Sequence, residues 1–255
     1  MQRRQTVRQR EESALVEDLA KSKSAQGTAW AGSSAAPDLP AAPASTRYLA
    51  CKRVLDIVLA ALAGIALSPV LVAIALLVRW TSPGPAIYRQ RRIGQDRRPF
   101  TLYKFRSMYR DQSEELHRMA IQRFLQGMPI DGDATSLERY KLHADARITP
   151  VGRVLRRTSL DELPQLWNVI RGDMSLVGPR PPIPYELEHY EARHLRRLSV
   201  PPGLTGLWQV RGRSRVTFEQ MVALDLEYIA HRSLLLDLKI LLATVPTVLG
   251  GKGAG

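Results

Sequence analysis

One cysteine in 255 residues, Cys51, has no partner for an intramolecular disulfide, and its solitude excludes any centre built from several thiolates. A reducing or cytosol-facing location fits that usage best. The five histidines are scattered, without metal-ligand spacing. Also missing are a GxxxxGKS/T phosphate loop, a GxGxxG after a strand, GxSxG and HExxH, so the usual nucleotide-binding and hydrolytic signatures are absent. No apolar h-region follows the basic start within signal-peptide distance, and no internal repeat is visible.

Acidic residues are also in short supply. Lys and Arg number 37 against 24 Asp and Glu, a formal net charge of +13. The hydrophobic fraction of 45% and charged fraction of 24% are ordinary for one large or two small domains with a real core, so the charge is the unusual quantity. It points to an anionic partner: nucleic acid, a membrane surface or a phosphorylated substrate.

Residues 1–46 read as a disordered tail. A mixed-charge stretch is followed by QGTAWAGSSAAPDLPAAPAST, which has too few large apolar side chains to offset the entropy of ordering. From Ile57 to Val78 the chain is almost continuously apolar, and a straight helix of that length spans about 33 Å, close to one bilayer core. Pro69, directly after Ser68, removes an intrahelical hydrogen bond near the midpoint, and Ser68 can satisfy a freed backbone group. Basic residues flank both ends: Arg47, Lys52 and Arg53 before, and nine Arg and Lys against Asp96 alone over residues 79–110. The positive-inside rule therefore favours a segment of about 54–79 that enters, bends at Ser68-Pro69 and returns to the same face; a kinked span is the alternative.

Beyond it, TSPGPAIYRQRRIG and RRPFTLYKFRSM suggest a small hairpin carrying Lys104 and Arg106, for which a solvated face is the plain reading. Residues 111–143 read as polar helix broken near GMPIDGD. The stretch 216–249 reads as largely helical, its apolar end interfacial or packed rather than spanning.

Chemistry concentrates in residues 145–182. Asp161 and Glu162 lie between Arg153, Arg156 and Arg157 on one side and Arg171 and Arg180 on the other. Carboxylates among guanidinium groups suit a phosphoryl centre, with arginines on phosphate oxygens and a carboxylate as nucleophile or hard-cation ligand. The same letters also fit a capping box, Ser159-x-x-Glu162, although Pro164 would interrupt a helix begun at Ser159 and allows a start nearer Leu163. Arg180 is either a guanidinium preorganised by its flanking prolines or part of a rigid surface turn. Arg211, Arg213 and Arg215 suit a diphosphate clamp or anionic headgroups, and Trp208 suits base stacking, an interfacial belt or core packing.

Across residues 51–255 these motifs, in order KRVLDIVLA, SPGPAIYRQRRIGQDRRPFTLYKFRSM, DARITPVGRVLRRTSLDELPQLWNVIRGDMSLVGPRPP, PPGLTGLWQVRGRS and LDLEYIAHRSLLLDLKILLATVPTVL, resemble the bacterial sugar transferase family of monotopic polyprenyl-phosphate hexose-1-phosphate transferases. The resemblance implies an α+β, mainly helical monotopic membrane protein with a re-entrant helix-break-helix segment and a small β-hairpin. It implies transfer of a sugar 1-phosphate from a UDP-sugar to undecaprenyl phosphate, with release of UMP, at the start of surface-glycan synthesis. Asp161 would be the nucleophile and the Mg²⁺ ligand, Glu162 its partner, and Arg156, Arg180, Arg213 and Lys104 the substrate-binding residues. The active site would face the cytoplasm at the bacterial inner membrane, among membrane lipids. On this reading the charge excess serves headgroups and phosphates, and no nucleic acid is expected.

Overall fold

The computed structural model describes residues 45–109, 115–125, 147–212 and 216–249. Residues 1–44 of the expected tail, most of the polar segment after the hairpin, Arg213, Arg215 and the last residues lie outside them, while Ser45 and Thr46, expected in the tail, belong to the start of the first helix.

The apolar segment forms two helices, α1 (Thr46–Ala66) and α2 (Ser68–Thr81), that meet at Leu67 with a bend of 63°. Ser45 caps α1, its hydroxyl accepting from the Tyr48 N–H at 3.1 Å. Pro69 falls in the first turn of α2, where a missing N–H leaves nothing unsatisfied. The Ser68 hydroxyl donates to the Ile65 carbonyl at 2.8 Å, filling one acceptor that the break frees. Neither helix is long and apolar enough to cross a membrane alone; the bent pair passes that test only together. Its outward surface is apolar, with Val54, Leu62, Ile65, Val72 and Trp80 exposed, while Asp56, Ala60, Ile74 and Val78 turn inward.

Strands β1 (Ile87–Ile93) and β2 (Pro99–Phe105) form the expected antiparallel hairpin, with Ile87 opposite Phe105 and Ile93 opposite Pro99. The hairpin joins two cores. Phe100 and Leu102 pack with Leu166, Val169, Met174 and Tyr228, whereas Phe105 packs with Ile74 and Val78 of α2 and with Leu155. Helix α3 (Glu115–Leu125) follows, then α4 (Pro150–Arg157), capped by Thr149, whose hydroxyl accepts from the Gly152 N–H at 2.8 Å. A Cβ on Gly152 would stand 2.0 Å from the Ser107 carbonyl oxygen, so only glycine lets α4 lie against the end of the hairpin.

A 3-10 turn, Leu160–Glu162, leads into α5 (Gln165–Arg171), which ends at Gly172 with φ 94°. Strand β3 (Ser175–Val177) then pairs in parallel with β4 (Gly203–Thr205), an element the sequence did not suggest. Between them run a 3-10 segment (Pro184–His189), the short helix α6 (Ala192–Leu195) and a further 3-10 turn (Arg196–Ser199). Helix α7 (Leu207–Arg211) places Trp208 in a core with Phe124, Phe218, Met221 and Val222, so its role is packing. Helices α8 (Phe218–His231) and α9 (Leu234–Leu249) complete the fold. Leu235, Leu238, Leu242 and Val245 of α9 are exposed, and Asp237 and Ile240 are buried, which gives the helix one apolar outer face. The described residues are thus mainly helical with two two-stranded sheets.

Polar side chains fasten α1 to this body. The Asp237 carboxylate accepts from Lys52 at 2.9 Å, Tyr48 at 3.2 Å and Tyr228 at 2.7 Å, and Asp56 accepts from the Leu176 N–H at 3.1 Å. Arg53 donates to the carbonyls of Val169 and Ile170 at 2.7 and 2.9 Å, covering acceptors at the end of α5.

Candidate active site

Asp161 and Glu162 belong to the 3-10 turn before α5, and the turn packs against both α4 and β2. Ser159 does not cap it. Its backbone is left-handed, φ 56° and ψ 16°, and its side chain makes no capping bond. The helix begins instead at Gln165 after Pro164, which leaves both carboxylates in a turn with no capping duty. Asp161 is buried at 8% exposure, and Glu162 is half-buried.

Lys104, on β2, reaches this turn. Its ammonium lies 2.8 Å from Glu162 Oε1, so the structure brings two of the sequence-expected residues into one ion pair. Arg106, two residues on, does something different: its guanidinium is buried and donates to the Ser82 and Pro83 carbonyls at 2.7 and 3.0 Å. That side chain fastens the loop after α2 to the hairpin. Arg156 is half-buried on the last turn of α4, five residues before Asp161, while Arg153 and Arg157 are exposed.

Arg180 occupies a loop whose carbonyls are almost all engaged. Pro179, Pro181 and Pro182 accept from Gly203 N–H at 2.8 Å, Arg92 at 3.0 Å and Ile93 N–H at 3.0 Å, and Arg197 reaches the Arg180 carbonyl at 3.4 Å. The loop is therefore a fixed internal support, not a surface turn. The Arg180 guanidinium pairs with Glu186 at 3.3 Å. Burial pushes the Glu186 carboxyl up, but Arg180, Arg92 and Arg197 outweigh it and hold the group below the usual carboxylate range. Arg197, itself buried, also donates to Asp225 at 2.7 Å and to the Tyr190 hydroxyl at 2.9 Å. Arg211 is exposed and paired with Glu227 at 2.7 Å.

Residue patterns alone miss Asn168, Glu186 and Arg197. An asparagine amid the apolar residues of LWNVI, where the side chain competes with helix formation, is the one signal that marks the first. Glu186 and Arg197 are recognised only through their partners.

Among the described residues no three His, Cys, Asp or Glu side chains converge as a metal cage. Asp161 and Glu162 offer two carboxylates, which fits Mg²⁺, an ion held by one or two carboxylates and completed by substrate phosphates and water.

The sequence model for "Bacterial sugar transferase" matches residues 47–251. The chain is 44% identical over 209 residues to the galactosyl transferase CpsE of Streptococcus agalactiae, covering 81% of this chain and 44% of that protein. It is 43% identical over 203 residues to the exopolysaccharide production protein ExoY of Sinorhizobium fredii, covering 80% of this chain and 87% of that one. With the UDP-glucose:undecaprenyl-phosphate glucose-1-phosphate transferase of Caulobacter vibrioides it shares 44% identity over 207 residues, 78% of this chain and 69% of the relative. The chain thus spans less than half of the streptococcal relative and most of the rhizobial one. The Asp161-Glu162 turn, the paired Lys104 and the bent helix pair all lie inside the matched stretch, and the chain belongs to the bacterial sugar transferase family.

Proposed function

We propose that this protein transfers a sugar 1-phosphate from a UDP-sugar to undecaprenyl phosphate, releasing UMP, as the first membrane step of surface-glycan synthesis. The observation that carries the reading is the buried Asp161 beside Glu162 in an uncapped turn, with Lys104 paired to Glu162 at 2.8 Å. The names of the relatives support the substrate pair.

In the proposed reaction a carboxylate oxygen of Asp161 attacks the phosphorus next to the sugar. The bond from that phosphorus to the bridging oxygen breaks, and UMP leaves with the electron pair. An oxygen of undecaprenyl phosphate then attacks the phosphosugar-aspartate at the same phosphorus and restores the Asp161 carboxylate. Mg²⁺, held by Asp161 with Glu162, would neutralise diphosphate charge. Lys104 sets the position of Glu162, and Arg156, Arg180 and Arg213 are the proposed phosphate-binding groups. Arg213 lies outside the described residues.

The bent pair α1–α2 would enter the cytoplasmic leaflet and return, with the apolar outer face of α9 lying in the interface. That arrangement holds the carboxylates at headgroup height, where a lipid phosphate and a soluble nucleotide sugar meet.

The test is UMP release from a panel of UDP-sugars by the detergent-solubilised protein with Mg²⁺. Asp161→Asn should abolish it, and substantial turnover in that variant overturns the nucleophile assignment. Exchange of label between UMP and the UDP-sugar without lipid acceptor is expected of the covalent route alone.

A further inference from the structure

Asn168 lies in the interior of α5, completely buried. A primary amide at such a place needs partners, since an unpaired buried polar group opposes folding. Each of its groups has one. Nδ2 donates to the Thr101 carbonyl at 2.7 Å and to Asp173 Oδ2 at 3.2 Å, while Oδ1 accepts from the Tyr103 N–H at 3.2 Å. The Asn168 carbonyl also accepts from the N–H groups of Gly172, Asp173 and Met174 at 3.1, 3.0 and 3.2 Å, which closes the end of the helix.

The two β2 contacts have a geometric reason. On the edge of a strand turned away from its partner, the carbonyl of one residue and the N–H of the residue two places on point outward together. A primary amide, with a donor and an acceptor in one plane, matches that pair as another strand would. Asn168 therefore grips β2 at Thr101 and Tyr103, on either side of Leu102, and Tyr103 directly precedes Lys104. Six residues before Asn168, the same short stretch carries Glu162.

The Lys104–Glu162 pair is itself partly exposed, with side-chain accessibilities of 24% and 37%, and two long side chains do not fix the elements that bear them. We infer that Asn168 is a positioning residue: its amide sets the register between β2 and the catalytic turn, and through the Lys104–Glu162 pair it orients the Glu162 carboxylate beside Asp161. The inference rests on the transferase reading for its catalytic consequence and on geometry for the positioning. Misplacement of a catalytic group by about 1 Å lowers rate by about 100-fold.

The kinetic test is a double-mutant cycle on the detergent-solubilised protein, comparing wild type, K104A, N168A and the double variant for UMP release. N168A should lose about 30- to 100-fold, chiefly in kcat, and the double variant should fall within about threefold of the worse single variant. Losses that multiply, or an N168A enzyme within threefold of wild type, would overturn the inference. Should N168A fail to fold, N168S takes its place: it adds no buried charge beside Asp173 and is too short to span Thr101 and Tyr103 together, with the same criterion. A second readout needs no activity. In a C51S background, K104C/E162C is cross-linked with a short bismaleimide, and adding the Asn168 substitution should cut the yield at least fivefold. An unchanged yield overturns positioning, whereas loss of cross-linking in a chain that transfers no sugar phosphate leaves the positioning standing and removes the transferase reading alone.

Discussion

The Lys104 ammonium and Glu162 Oε1, 58 residues apart in sequence, stand 2.8 Å apart in the fold. Partly exposed pairs of this kind contribute about 0–1 kcal/mol to stability, so this one is poorly explained as a structural device. Lys104→Met should therefore reduce kcat/KM for UMP release by about 10- to 100-fold while moving Tm by less than about 3 °C. Thermal unfolding and kinetics on the same preparation check this. A large fall in Tm with a proportionate fall in activity would make the pair a strut.

Arg53 makes the opposite case. It donates to the Val169 and Ile170 carbonyls, tying α1 to the last turn of α5, and takes no part in the proposed chemistry. Arg53→Met removes two charge-assisted bonds; the Val169 carbonyl keeps the Gly172 N–H at 3.1 Å and the Ile170 carbonyl loses its Arg53 donor, a loss of about 1–3 kcal/mol. The expected fall in Tm is about 2–10 °C. Activity per folded molecule, measured well below the transition, should stay within about threefold of wild type.

The bend and the hairpin are legible in the sequence because local chemistry dictates them. Pro69 cannot continue a helix with an intact hydrogen-bond ladder, Ser68 supplies the replacement donor, and the turn residues bracket alternating apolar positions in the hairpin. The dyad is legible only as a choice, since Ser159-x-x-Glu162 spells a capping box as well as a site. The left-handed backbone at Ser159, with no capping bond from its side chain, removes the cap reading. The parallel β3–β4 pair, the Asn168 grip and the Glu186 cluster leave no periodic trace. They consist of contacts between distant segments, such as Ser175 with Gly203 and Asn168 with Thr101. Trp208 shows the same dependence: stacking, interfacial and core roles share one composition, and its neighbours Phe218 and Met221 make it core.

The proposed re-entrant arrangement predicts that both ends of the helix pair lie on one side of the membrane. In a C51S background, Ser45→Cys and Pro83→Cys, both at exposed positions, should be labelled by an impermeant maleimide only from the cytoplasmic side of spheroplasts and inverted vesicles. Labelling of the two from opposite faces would turn the 63° bend into a kink within a span.

Glu186 governs how the Arg180 loop responds to acid. Its carboxyl is held below the ordinary value of 4.5 despite burial, because Arg180, Arg92 and Arg197 favour the ionised form. A group whose folded pKa lies below its unfolded one binds fewer protons in the native state. It therefore contributes stability fully above the unfolded value and loses it as pH falls through the folded one. The wild-type protein should lose stability steeply below about pH 4.5, and Glu186→Gln should remove this group's share of that slope. At neutral pH the same substitution breaks the buried Arg180–Glu186 pair, a loss of about 3–5 kcal/mol, while Arg197 keeps its bond to Asp225. Tryptophan fluorescence against denaturant, at a series of pH values from 3 to 7, measures both effects. A Glu186→Gln protein as stable at pH 7 as the wild type, with an unchanged acid slope, would show that the buried pair does not hold the loop.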